Sequence, residues 1–196
     1  MLTKQEEATL EAYRVIAAKR NATHANPDFW RQEGIVLAAL AGTNASIIDI
    51  GCGAGRDALL LRELGFLYVG ADASPEMLDA ARELAPDALF HRMDLYEPDS
   101  PYVFDAFWAA AVYLHVPRER IGESLTALRT MLAPGAVGFI ALKEGDGEKC
   151  AADGRFFCYW REPDFTDVLR ANGFTVLQVG SKTSGSDTFL TWHVRA

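Results

Sequence analysis

The chain has 196 residues, 49% apolar and 23% charged, with a formal net charge of −8. That length suits one domain that buries roughly 70% of its unfolded surface without staples. The acidic balance works against a phosphate-backbone partner, so nucleic acid is disfavoured. Cys52, Cys150 and Cys158 show no CxxC spacing, which argues against a disulfide framework and a zinc site and predicts a reducing compartment. The polar N-terminus lacks an apolar leader core, and the run FDAFWAAAVYLHV is shorter than the roughly 20 residues a membrane span needs. The expectation is a soluble cytoplasmic protein with no membrane partner.

In chain order, Leu10, Tyr13, Ile16 and Ala17 recur at helical spacing, and Asn26-Pro27 opens a second helix carrying Trp30, Ile35, Leu37 and Leu40. SIIDI then reads as a strand and RDALLLRELG as a helix stopped by Gly65. LYVGAD is a second strand, followed by a helix that Ser74-Pro75 caps and starts. ALFHRMD and VFDAFWAA are the third and fourth strands. A helix from Pro117 to Leu132 stops at Pro134-Gly135, and AVGFIALKE is the fifth strand. Residues 144–154 read as a mobile surface loop.

Strands alternating with helices predict an α/β, doubly wound, mostly parallel sheet with helices on both faces. The tail departs from that rhythm. After a helix around DFTDVLRANG, FTVLQVGSK and DTFLTWHVRA are separated only by Thr-Ser-Gly-Ser, too short for a parallel crossover. The C-terminal strand is therefore expected to be antiparallel in a seven-stranded sheet. No linker divides the chain, so residues 1–196 are expected to form a single domain. Residues 1–43 would be a helical lid segment and 44–196 the core.

Gly51, Gly53 and Gly55 sit where the first strand turns into a helix. Glycine there permits positive φ and close approach of a ligand to the backbone, and the helix N-terminus presents N–H groups. A tight turn alone needs fewer glycines. A dinucleotide loop wants a small residue where the chain has Arg56. Asp49, ahead of the glycines, suits a ligand with an ammonium group better than a pyrophosphate.

The stretch D-I-G-C-G-A-G resembles the first motif of the class I S-adenosylmethionine-dependent methyltransferases, and the resemblance continues in order from about residue 45 to the C-terminus. It implies that Asp49, Gly51, Cys52, Gly53, Gly55 and Arg56 form the loop holding the amino-acid end of S-adenosylmethionine. Cys52 is expected to be a small buried residue there and not a nucleophile. Asp72 matches the acidic residue that binds both ribose hydroxyls, a geometry one carboxylate can serve. Asp94 matches the residue accepting from the adenine amino group, flanked by Met93 and Leu95, with Ala73 and Met77 lining the same pocket. Asp105 is expected to be structural, and Trp108 and Ala109 to lie beside the methionine portion.

The chain lacks the Asn/Asp-Pro-Pro-aromatic motif of amino-group nucleic-acid methyltransferases and the Pro-Cys or Thr-Cys context of the cytosine-C5 type. With the acidic charge, this points to a small-molecule acceptor (O, N or S) and a monomer or homodimer. YLHVP, LKEGDGE and DGRFFCYW resemble small bacterial and archaeal methyltransferases and, more distantly, the tellurite-resistance and thiopurine types. Candidate catalytic residues are His115, as a general base, and Tyr113. Candidate acceptor-binding residues are Tyr13, Trp30, Lys143, Arg155, as a clamp for an anion, and Tyr159. Two other readings stand beside this one, an RNA methyltransferase acting with a partner subunit and a non-catalytic S-adenosylmethionine-binding protein.

Overall fold

The computed structural model describes residues 2–18, 26 and 28–196. Helix α1 (Lys4–Ala18) opens with a reciprocal cap. The Thr3 hydroxyl accepts from the Glu6 N–H, while the Thr3 N–H donates to the Glu6 carboxylate. The second helix, α2 (Arg31–Ala41), starts later than Asn26-Pro27 predicts, and Pro27 lies outside the described residues.

Seven strands form one sheet: β1 (Ser46–Ile50), β2 (Leu67–Asp72), β3 (Leu89–Arg92), β4 (Phe104–Ala110), β5 (Leu132–Lys143), β8 (Thr175–Ser184) and β9 (Asp187–Arg195). Their order is β3-β2-β1-β4-β5-β9-β8. β1 pairs in parallel with β2 on one side and β4 on the other, and only β9 runs antiparallel to its neighbours β5 and β8. The doubly wound, mostly parallel sheet and the antiparallel C-terminal strand are as expected. Helices α3 (Ala58–Glu63) and α4 (Pro75–Leu84) follow β1 and β2. Ser74 caps α4 by accepting from the Met77 N–H at 3.3 Å, with Pro75 in the first turn.

The sheet is apolar on both faces, as a parallel sheet covered by helices must be. On one face Ile47, Ala106 and Phe139 pack with Leu37 of α2, Leu61 of α3 and Leu78 of α4. On the other, Ile48, Phe107 and Trp192 pack with Leu125 of α5 (Ile121–Arg129) and Phe165 of α6 (Glu162–Ala171).

Two further segments differ from expectation. The helix after Pro117 begins as a 3₁₀ turn over Arg118–Arg120 and ends at Arg129, and Leu132 belongs to β5. Leu132 pairs with Phe104, and a register shift follows before Val137 pairs with Ala106. Pro134, which has no N–H to give a ladder, and Gly135, at φ 78°, sit inside that shift. The stretch expected to be a mobile loop contains β6 (Glu148–Cys150), which pairs antiparallel with β7 (Phe156–Cys158) in a small second sheet. Its polar composition hid the strand, because all three β6 residues are exposed. No helix among the described residues is long and apolar enough to cross a membrane.

Candidate functional site

A cavity of about 360 Å³ opens at the carboxyl ends of β1, β2 and β4 and is roofed by α1. This is where the strand order reverses about β1, the place where open α/β sheets bind ligands. Three walls come from segments expected from the sequence: Asp49 to Gly53 with Arg56; Asp72, Ala73 and Met77; and Met93 to Leu95.

The loop after β1 is built by backbone geometry. Gly51 and Gly53 have φ of 67° and 53°. A Cβ on Gly51 would lie 2.3 Å from Val112 Cγ2, so that residue must be glycine twice over. A Cβ on Gly53 would meet nothing within 4 Å, because Gly53 faces the open cavity. Gly55 is off the wall. Its Cβ position lies 3.1 Å from Ala81 Cβ, so it packs the loop against α4 and does not face a ligand.

Asp72 ties the first two walls together. Its Oδ2 accepts from the Gly53 N–H and its Oδ1 from the Ser74 N–H, each at 2.9 Å. Burial raises its pKa above the usual carboxylate range, and these backbone donors oppose the rise. Each oxygen keeps acceptor capacity beyond its single backbone bond. Asp94 forms the turn of the third wall, its Oδ1 accepting from the Tyr96 N–H at 2.7 Å.

Below the loop, Asp49 is 2% exposed and accepts from the Tyr68 hydroxyl at 2.8 Å. Burial, then the neighbouring Asp57 carboxylate, pushes its pKa strongly upward. Asp57 also borders the cavity, held by the Arg56 guanidinium at 2.7 and 2.6 Å and by the Trp108 indole N–H at 2.9 Å. Sequence reading passed over Asp57, although its position directly after Arg56, at the start of α3, is the signal that could have found it. Cys52 is buried, and burial followed by the Asp49 and Asp72 charges keeps its thiol protonated, as expected of a packing residue.

The fourth β-strand meets the cavity later than predicted. Ala109 is buried within the sheet, and Ala110, Ala111 and Val112 border the space instead. Trp108 is fully buried, with its ring centroid 4.2 Å from that of Phe139, and it acts beneath the floor through Asp57. Asp105 takes the structural role expected, accepting from the Ser46 N–H and hydroxyl at 2.9 and 2.8 Å.

At the α1 end, His115, Tyr13 and Arg155 come together. The Phe156 carbonyl lies 2.6 Å from His115 Nδ1, and a carbonyl only accepts, so Nδ1 carries the proton. Nε2 is then the acceptor and takes the Tyr13 hydroxyl proton at 2.7 Å. Burial lowers the His115 pKa to about 4, so the ring is neutral. The Arg155 guanidinium lies 5.7 Å from the Tyr13 ring centroid and pairs with Asp153 at 2.8 Å. His115 therefore reaches the cavity as the residue that holds Tyr13, and both its nitrogens are engaged.

The other proposed acceptor and catalytic residues lie elsewhere. Tyr113 is fully buried in the core, one turn position away from the wall that His115 reaches. Trp30 is 1% exposed and packs edge-on against Phe139 and Phe189, so α2 covers the sheet, and among the described residues of the N-terminal segment it is α1 that covers the cavity. Lys143 pairs with Asp187 at 2.7 Å, and Tyr159 gives its carbonyl to Arg118 at 2.6 Å. Neither side chain borders the cavity. Conversely, Glu6, Thr9 and Leu10 on α1, none of them an expected site residue, do border it. Thr9 accepts from the Phe156 N–H at 2.9 Å, and Glu6 receives Arg120 at 2.9 Å and the Tyr96 hydroxyl. With Tyr13 these residues fasten one face of α1 at three points.

An α/β sheet of this order, with a glycine loop and two strand-end aspartates around one cavity, defines a doubly wound protein with its cavity at the switch point of the sheet. Residues 47–135 match the family model described as "Methyltransferase domain". The chain is 26% identical over 150 residues to the magnesium-protoporphyrin O-methyltransferase of Synechocystis sp., a match covering 68% of this chain and 64% of the relative. It is 42% identical over 62 residues to the 18S rRNA (guanine-N(7))-methyltransferase of Bos taurus, covering 31% of this chain and 22% of the relative. The chain thus spans less than two thirds of the length of either curated relative. In fold it resembles the 1,6-didemethyltoxoflavin-N1-methyltransferase of Burkholderia thailandensis, solved with 1,6-didemethyltoxoflavin and S-adenosylhomocysteine. The TM-score is 0.82 at 21% identity, over 100% of this chain and 91% of the other. Residues 47–135 therefore carry the methyltransferase-domain match, and the sheet has the fold of the class I S-adenosylmethionine-dependent methyltransferases.

Proposed function

We propose that the protein transfers a methyl group from S-adenosylmethionine to a small-molecule acceptor bound in the same cavity beneath α1, in the cytoplasm. The observation that carries this reading is the pairing of Gly53 with Asp72. Open space lies beside the Gly53 Cα, and the carboxylate next to it is anchored on the Gly53 and Ser74 N–H groups with lone pairs to spare. A vicinal diol is the partner such a carboxylate suits.

The bound cofactor supplies a methyl group already activated by sulfonium charge, so the protein's task is mainly alignment. In this reading the backbone at Gly51 to Gly53 leaves room for the amino-acid end, above the buried acids Asp49 and Asp57. Asp72 accepts from the ribose hydroxyls. Asp94, with Met93 and Leu95, faces the adenine. Tyr13 and Arg155 contact the acceptor, and His115 positions Tyr13. Three free cysteines agree with a cytoplasmic setting.

The match to a ribosomal-RNA methyltransferase supports a second reading, with RNA as acceptor. The net charge of −8 and the roof formed by α1 favour the small molecule. Calorimetric titration with S-adenosylmethionine and S-adenosylhomocysteine, with NAD as control, tests the cofactor reading. Micromolar binding of either, and none of NAD, is expected. Folded protein that binds neither would overturn it.

A further inference from the structure

The α1 end of the cavity differs in charge from the rest. Asp57, Asp72 and Asp94 line the loop end, where Arg56 is spent on its pair with Asp57, whereas Arg155 supplies the cation at the Tyr13–His115 end. The Arg155 guanidinium stands 5.7 Å from the Tyr13 ring centroid and 5.2 Å from that of Phe157, so aromatic rings as well as Asp153 fix its position. Asp153 is a half-exposed partner, with 46% of its side chain accessible, and an incoming anion can compete with it for the fork.

Among the described residues, this end of the cavity also offers no idle base. Nδ1 of His115 gives its proton to Phe156, and Nε2 is taken by the Tyr13 hydroxyl. The Tyr13 hydroxyl proton is engaged with that nitrogen, and burial raises the hydroxyl's pKa. Glu6 is occupied by Arg120, Tyr96 and Thr3. An acceptor that must first lose a proton finds nothing here to take it, whereas an acceptor already ionised at neutral pH needs nothing taken.

We infer that the acceptor is a small carboxylic acid, bound as its carboxylate by Arg155 beside Tyr13, and that the product is its methyl ester. This rests on the methyltransferase reading above. The acceptor's carboxylate oxygen uses a lone pair to form the new C–O bond as the methyl–sulfur bond breaks, with that bond's electron pair passing to sulfur. One negative and one positive charge are neutralised, and no proton is released or needed. The charge pattern suits this pairing, since acids surround the site of the cationic donor and an arginine stands where the anion enters.

The test uses the whole chain saturated with S-adenosylhomocysteine and titrated with benzoate and with benzamide, its neutral counterpart. Benzoate is expected to bind roughly tenfold or more tightly than benzamide. Arg155→Ala should weaken benzoate by roughly ten- to hundredfold and leave benzamide unchanged. Asp153→Asn, which removes the internal competitor, should tighten benzoate. S-adenosylhomocysteine affinity, measured first on each variant, separates the two readings. Loss of that affinity in the wild type sinks the methyltransferase reading itself. Intact cofactor affinity with benzoate no tighter than benzamide, or with benzoate indifferent to Arg155→Ala, overturns the carboxylate acceptor alone.

Discussion

The Tyr13 hydroxyl donates to Nε2 of His115 across 2.7 Å, joining residues 102 apart in the chain and fastening α1 to the turn after β4. Because Phe156 takes the Nδ1 proton, the histidine presents one fixed tautomer to the tyrosine. Tyr13→Phe and His115→Gln should each destabilise the protein by about 1 kcal/mol, and the double variant by clearly less than the sum. Denaturant unfolding of the four proteins measures this coupling. Additive losses would show that the two side chains act separately.

His115 also sets a pH dependence. Its folded pKa, about 4, is below its unfolded value of 6.5. Between those values the unfolded state binds more protons, so this contribution is fully present above pH 6.5 and is lost as pH falls toward 4. His115→Gln should flatten the stability profile across that window. An unchanged slope would place the titration on other groups.

Asp49 works in the opposite sense. Burial and Asp57 raise its folded pKa, so the folded state holds the proton more tightly and stability falls as pH rises through the raised value. Asp49→Asn keeps an oxygen for the Tyr68 hydroxyl and removes the charge. The variant should lose stability less steeply than the wild type as pH rises from about 4 to about 8, as followed by thermal unfolding.

Gly53→Ala puts a methyl group into the open cavity and forces φ of 53° on an L-residue. A stability loss of about 1–2 kcal/mol is expected from the backbone alone. Affinity for S-adenosylhomocysteine should fall by more than the matching change in the folded fraction explains. Calorimetry beside thermal unfolding separates the two effects.

Asp72→Asn leaves one amide N–H₂ facing a backbone N–H donor, either Gly53 or Ser74, where a carboxylate oxygen accepted before. Cofactor affinity should drop by roughly ten- to hundredfold, the worth of charged hydrogen bonds to a diol. A variant binding as well as the wild type would remove Asp72 from the site.

Tyr113→Phe supplies the control. Its hydroxyl is sealed in the core, and burial pushes its pKa far up. Methyl transfer and cofactor binding should be unchanged, with stability within about 1 kcal/mol of the wild type. A large loss of turnover would restore Tyr113 to the catalytic residues.

Much of this architecture was legible because its signals are local. The alternation of SIIDI, LYVGAD and VFDAFWAA with amphipathic helices sets a parallel sheet, and the short Thr-Ser-Gly-Ser link forces β8 and β9 to be antiparallel. Gly51, Gly53, Asp72 and Asp94 were legible because a backbone-cradled ligand needs those types at strand ends. What a strand-end residue faces is another matter. Trp108, Ala109 and Ala110 are consecutive, and a shift of one residue moves a side chain from floor to wall. The partners of α1 were not legible either. Glu6, Thr9 and Tyr13 mark a helical stripe, but nothing local says that Arg120, Phe156 and His115 will meet it. The aromatic run at Phe156 to Trp160 misled for the same reason, since only the fold decides that Trp160 enters the core and Tyr159 stays outside the cavity.

The most direct test of the account follows the backbone amides of labelled protein by NMR as S-adenosylhomocysteine is added. The account predicts the largest shifts at Gly51 to Ala54, Asp72 to Ser74 and Met93 to Leu95, with smaller ones along the inner face of α1. Saturable binding that leaves the Gly51–Ala54 and Asp72 amides unmoved would contradict it.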